Sequence, residues 1–575
     1  MVVVVALGVL LAVEALSAAR DLAATRDRAR DLETQLAADD LGAARATAAA
    51  LRTDAAHAHD RTDGPLWDLA GHLPVVGTTV RAVQASAAGA DLVAREAVPA
   101  ATRVVAAMAH GDLRPRHGRI ALGPLRSLTP SVRRAATVLD HVDASLAAID
   151  TQQVLGPVRS TFAHLQQQLG TAHDAADAAS TALRVLPGML GADGPRSWLL
   201  LVQNNAEIRA TGGMAGSWAV VHTDHGHVRL GRQGADTDMP PLPRPAVRLP
   251  RDVRALYGSD LGTDFRDMNF DPDFPQVARM AAALLRRDHH QRVDGVVAVD
   301  PVALADVLRG TGPVPVRFQG RRTTLTADNV VPTLLNGVYR SIPDGQLQNA
   351  FFQAAARSVF HAVTSGRGDA RALTRGMVAA AGQGRVLVWS RDHHEQDALG
   401  PTRVSGALPG GSGAPAVGVY LDDATATKME FYLRVRSRVR ATGCSAAGVQ
   451  QLRTRVELRS VAPPHAARLS PYVTGPGTYA PRGSMRLNAW LYGPTAGQIT
   501  SVRLDGHPVT VTASRQQDRQ VTLVPVLLRP GQRVVVTGVM STGRHQPGAP
   551  VLTSTPTAEQ APNRVTAASA CTASD

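Results

Sequence analysis

At 575 residues the chain is too long for one hydrophobic core, so about two to four domains are expected. A hydrophobic share of 44% excludes a disordered polymer, and an aromatic share of only 4% points to Ala- and Val-rich packing. The net charge of +13 is almost all arginine, because Lys428 is the only lysine. Those arginines are spread along the chain, with no dense block and no interleaved aromatics, which argues against nucleic acid as a partner. Attraction to an anionic membrane or an anionic envelope polymer remains.

Residues 1–19 are an apolar run broken only by Glu14 and Ser17, just long enough to span a bilayer. With no basic residue before it, the run reads as a transmembrane anchor or uncleaved signal, and a start upstream of Met1 is compatible with that pattern. Either reading exports the rest of the chain and places the body outside the cytoplasm on a single-pass anchor. Residues 20–190 read as an Ala-rich helical stalk or bundle. Leu22, Ala29, Leu36, Ala43 and Ala50 recur every seven residues, in the manner of a coiled coil. Val132, Ala135, Leu139, Val142, Leu146 and Ile149 share one helix face. Leu73-Pro74-Val75-Val76-Gly77 breaks the helices. Such a stalk serves as a spacer or as a surface for protein partners.

Residues 191–405 alternate strand and helix signals, and an α/β layered domain is expected. Its centre is the stretch 198–221, WLLLVQNNAEIRATGGMAGSWAVV. Two apolar strand-like runs bracket Asn204, Asn205, Glu207, Arg209, Thr211, Gly212, Gly213 and Ser217. Amides, a carboxylate and a guanidinium between core strands must bond one another or a ligand. A loop that satisfies itself is the commoner outcome. As a ligand site, Asn205 and Arg209 would grip anionic or hydroxyl groups, Glu207 would orient Arg209, and the glycines would admit the ligand. Asp224-His225-Gly226 marks a hairpin turn, and Asp300 with Pro301 opens a helix.

Residues 406–420 are Gly- and Pro-rich and read as a linker. Residues 421–575 carry short alternating strands, as a β-sandwich does, and end in a loose tail after Ser554. The only cysteines, Cys444 and Cys571, fall here and suit one disulfide in an oxidising compartment. Together these readings give a multi-domain α+β protein. The chemistry is thinner. Asp236, Asp271 and Asp273 are weak candidates for holding Mg²⁺. His222, His225 and His227 lie on a turn where their side chains diverge, and the pairs His289-His290 and His393-His394 share no helix face. No nucleophile has an assignable base.

The segments QNNAEIRATGGMAGSW (203–218), NFDPDFP (269–275), VDGVVAVDPVALADVLRGTGPV (293–314), LDDATATKMEFYL (421–433) and LPVVGTTVRAV (73–83) resemble the bacterial family known as domain of unknown function 4012. That resemblance implies an N-terminal anchor and an extracytoplasmic body associated with surface polysaccharide. More distantly, the order of strand, Gly-rich loop, strand and residues 293–316 is similar to the LytR-CpsA-Psr phosphotransferases, which move glycopolymers from polyprenyl-pyrophosphate carriers to the wall. Met214, Ala215, Gly216 and Ser217 stand where those enzymes have Arg-x-Asp-Thr, and Asp236-Thr237 lacks the arginine before it. The later Arg-rich helix appears as residues 344–349, with only Arg340 ahead of it. The charge-assisted grip on pyrophosphate is thereby lost. The leading expectation is an envelope protein that binds or handles a lipid-linked or wall glycopolymer, with a polyprenyl-linked glycan as its ligand. The alternatives are a metal-dependent phosphotransferase and a non-enzymatic scaffold.

Overall fold

The structure is a computed structural model that describes residues 2–38, 40–410, 413–559, 564–565 and 569–571. For residues 2–16, 18, 19, 37, 157, 564 and 565 it describes the backbone alone. Two compact units emerge: residues 1–114 with 120–192, and residues 115–119 with 193–575.

The first unit is helical, as its periodicity dictates. The helices Val2–Ala37 and Leu41–Thr62 form an antiparallel pair, turned by Asp40, whose carboxylate accepts from the Ala43 N–H. Ala44, Ala55 and Ala58 are fully buried in the unit. The helix Leu122–Ala147 buries Val132, Ala135, Leu139, Val142 and Leu146 along one face. It crosses Gly77–Leu92 so closely that a Cβ on Gly89 would stand 2.7 Å from Val142 Cγ1. The expected break at residues 73–77 is a turn ahead of that helix. Among the described residues no helix is long and apolar enough to cross a membrane. The expected anchor at 1–19 falls largely on side chains outside the described residues.

The second unit opens with β1 (Arg196–Asn204), β2 (Met214–Asp224), β3 (His227–Ala235), β4 (Gly295–Val299), the hairpin β5 (Val314–Phe318) and β6 (Arg321–Leu325), and β7 (Val386–Ser390). Five strands make a sheet in the order β3-β2-β1-β4-β7. Only β1 and β4 run parallel, so the domain is α+β rather than doubly wound. The parallel pair requires a crossover, which the amphipathic helix Phe274–His289 supplies by packing on the sheet through Val277, Ala281 and Leu285. The β2–β3 turn is tight, with His225 and Gly226 both at positive φ. Asp300 caps the helix Pro301–Thr311, as its sequence announces.

The chain continues through β8 (Ala416–Asp423), β9 (Leu433–Cys444), β10 (Gln450–Ser460), β11 (Met485–Thr495), β12 (Gln498–Leu504), β13 (His507–Val509), β14 (Arg515–Gln516), β15 (Arg519–Leu528), β16 (Arg533–Ser541), β17 (Val551–Ser554) and β18 (Arg564–Val565). Two sheets, β13-β12-β16-β10-β9-β18 and β14-β15-β11-β8-β17, share one apolar core. Residues 416–420, expected as linker, are the buried start of β8, because Val417 and Val419 supply that core. Cys444 and Cys571 are joined by a disulfide, with Cα atoms 5.0 Å apart. The described tail beyond Ser554 is held rather than loose. Thr555 Oγ1 donates to the Ala210 carbonyl at 2.9 Å, and Arg385 donates to the Glu559 carbonyl at 2.8 Å.

Candidate functional site

β1 loses register with β2 after Val202, and the chain then leaves the sheet as the loop 205–213. The cause is visible in the middle of the loop. Ile208 is fully buried in the sandwich core beside Val419 and Leu421. The loop is a plug that the first sheet inserts into the second layer. Its backbone is paired across that boundary: Asp423 N–H donates to the Ile208 carbonyl at 2.9 Å, and Glu430 N–H to the Ala206 carbonyl at 3.2 Å. The Ala210 N–H donates to Asp422 Oδ1 at 2.8 Å.

The polar side chains that mark the loop in the sequence find partners within the protein. Asn204 donates to the Tyr339 hydroxyl at 2.6 Å. Asn205 donates to Asp300 at 3.0 Å and to the Gly212 and Pro556 carbonyls, each at 3.2 Å. Thr211 Oγ1 accepts from Gln203 at 2.8 Å and from Asn269 at 3.2 Å. Asn269 also donates to the Gly213 carbonyl at 2.6 Å. Glu207 bridges two cations. Arg209 donates to Oε1 at 3.2 Å, while Lys428 donates to Oε2. Arg209 also stacks over Phe270, 4.4 Å from the ring centroid.

Burial pushes the Glu207 carboxyl up, but Lys428 and Arg209 outweigh it and hold the group below its ordinary value. For Lys428, burial favours the neutral amine, and Glu207 overrules it, so the ammonium persists. Asp422 is pushed up to about 8 by burial, against the pull of Arg209 and the Trp490 indole N–H. Glu430, fully buried beside Asp423, has its carboxyl driven well up by burial and by that neighbour.

The two glycines are closely packed. A Cβ on Gly213 would lie 2.2 Å from the Asn204 carbonyl, and Gly212, at φ +140°, would meet Gln203 Oε1 at 2.6 Å. The protein's own atoms pack closely around these two glycines, while Asn205 Oδ1 and Arg209 Nε are buried without a hydrogen-bond partner among the described residues. Ser217 is half-buried in β2, opposite Val202. Met214 and Ala215 are buried and pair with Asn204 and Gln203.

Two of the three candidate metal acids accept hydrogen bonds from within the protein. Asp271 accepts from the Asp273 N–H and from Gln516, each at 2.9 Å, and burial pushes its carboxyl up to about 7. Asp273 accepts from the Leu408 N–H at 3.2 Å. Half-buried Asp236 is raised by burial. Among the described residues no three His, Cys, Asp or Glu side chains gather where a metal ion would bind. His222 contacts Ser197 and His225 contacts Asp224, so the hairpin histidines diverge.

A feature the sequence reading passes over lies where the β5–β6 hairpin meets the helix Gly345–Thr364. Pro315, Arg317, Arg322, Ala354, Arg357 and Ser358 line an open cleft of about 270 Å³. Arg317 and Arg322 are directly opposed in the hairpin. Arg357 reaches in from the helix and donates to Gln233 at 2.9 Å. No described carboxylate neutralises any of the three. The sequence signal is slight, a single Arg-x-x-x-Arg-Arg spacing across the turn at residues 317–322.

Residues 193–339 match the family described as Protein of unknown function (DUF4012). No curated protein matches the chain.

Proposed function

Starting from a chain that carries a DUF4012 region from β1 through Tyr339, we propose an extracytoplasmic cell-envelope protein that binds, without transforming it, an anionic group of a lipid-linked or wall glycopolymer. The observation that carries this reading is the cleft formed by Arg317, Arg322 and Arg357. Three guanidiniums line it with no described carboxylate to cancel them, and Ser358 adds a hydroxyl. Guanidinium groups recognise phosphate and carboxylate oxygens through paired, charge-assisted hydrogen bonds. The Cys444–Cys571 disulfide supports the address, because such bonds persist in oxidising compartments. The buried, internally paired Arg209 loop favours a binding role over a reaction at that loop.

The test is calorimetric titration of the full chain with inorganic pyrophosphate, beside an Arg317→Ala, Arg322→Ala, Arg357→Ala variant. Each lost charge-assisted contact should cost about tenfold in Kd. The melting temperature should stay within a few degrees, since all three side chains are exposed. Wild-type protein that ignores pyrophosphate at low salt, or a triple variant that binds it undiminished, sinks the proposal.

A further inference from the structure

The outer face of the sandwich carries an arginine array that strand pairing, not sequence proximity, assembles. In β9, Ser437 and Val439 point into the core, so Arg436, Arg438 and Arg440 point out to solvent. In β10, Leu452, Thr454, Val456 and Leu458 are buried, and Arg453, Arg455 and Arg459 are exposed on the same outer face. The antiparallel register then sets arginine against arginine. Arg440 faces Arg453, Arg438 faces Arg455, and Arg434 faces Arg459. Arg459 is opposed on its other side by Arg533 of β16. Two carboxylates break the pattern: Glu457, opposite Arg436 and bonded to Arg533 at 2.6 Å, and Glu559, 4.0 Å from Arg434.

Like charges placed directly across a ladder destabilise the sheet. Two such pairs with no described acid, Arg440–Arg453 and Arg438–Arg455, therefore oppose folding unless an anion lies over them. Same-face side chains repeat about every 6.7 Å along a strand, and neighbouring strands lie about 4.8 Å apart, so the array is a flat stripe about 20 Å long. That outline fits an extended chain with charges at regular intervals better than a single compact anion.

From this geometry we infer that the outer face of β9 and β10 is a docking surface for a linear acidic polysaccharide carrying carboxylate or phosphodiester groups. The surface rests on the envelope reading above for its partner, and it adds that the polymer is polyanionic and held along its length. Two features separate this occupant from other anions. Among the described residues, the exposed large apolar side chains all lie off β9, β10, β12 and β16, so the face lacks the residues that would insert into a bilayer. No exposed aromatic interleaves the arginines, so neither base stacking nor stacking on a neutral sugar is available. Charge is the recognition.

The experiment uses the full chain and measures affinity for polygalacturonate and for long-chain polyphosphate across a salt series. Binding should weaken steeply as salt rises. The variant Arg438→Ser, Arg440→Ser, Arg453→Ser, Arg455→Ser should lose at least tenfold in affinity and show a shallower salt slope. The matching Arg→Lys variant should keep most of the binding, and neither should melt lower than wild type. No polymer binding at low salt, or a serine variant that binds as wild type does, overturns the inference. So does tighter binding to phosphatidylglycerol vesicles or to duplex DNA than to either polymer. The serine variant should still bind pyrophosphate as wild type does, because its four substitutions lie on the strands and not in the cleft. Failure at one surface is thus readable without failure at the other.

Discussion

Glu207 shows how little of a buried charge can be read from its own neighbourhood. The sequence places Arg209 two residues away and suggests that the pair faces a ligand. The structure adds Lys428, which is 221 residues distant, and turns the loop inward. Removing one partner of a buried ion pair costs about 3–5 kcal/mol, because the remaining charge stays buried and unmatched. Arg209→Ala and Glu207→Gln should each lower the melting temperature by roughly 5–10 °C in differential scanning fluorimetry. A change of a degree or less in either would make the loop a ligand site again. Asp271 makes a second residue-scale prediction. Burial and the neighbouring Asp273 carboxylate raise its folded pKa to about 7, so the folded state holds a proton that the unfolded chain releases near pH 4. Its contribution is complete below that lower value and is lost as pH climbs through about 7. Asp271→Asn should therefore gain in melting temperature relative to wild type as pH rises from about 4 to 8. A constant difference between the two proteins across that range would refute the buried-acid account.

Among the elements, the legible ones are those that announce themselves by period. The face of the helix Leu122–Ala147, the cap at Asp300 and the turn at His225-Gly226 each follow from a few adjacent residues, because the interactions that form them are local. The arginine stripe has an equally plain local signal, Arg-Val-Arg-Ser-Arg-Val-Arg at 434–440. It does not read as a block because a strand spreads its charges over alternate positions, and because half of the stripe comes from β10. Strand neighbours are set by a register that no window on the sequence contains. The same reason hides the cleft, whose Arg357 belongs to a helix that starts 20 residues after the hairpin ends. The candidate metal acids show the opposite difficulty. Asp271-x-Asp273 looks like a cation motif, but a backbone N–H takes one oxygen of each carboxylate.

On the scale of the whole molecule, the second unit is tied together by contacts far apart in sequence. Ile208 sits in the sandwich core, Asn205 holds the Pro556 carbonyl, and the disulfide fastens residue 571 to the end of β9. The division into a helical part, a mixed sheet and a β-rich end can be foreseen from composition and period. The plug that joins the last two cannot, because its only sequence trace is polarity. One detail of that plug gives the protein a built-in reporter. Lys428 is the single lysine of the chain and is buried against Glu207. A lysine-specific protease therefore has one peptide bond to cut, and that bond is out of reach while the plug is seated. Native protein should remain one band through a long digestion, and Glu207→Gln should yield two fragments meeting at Lys428–Met429. The rate of that single scission would read the opening of the junction directly, with no label added.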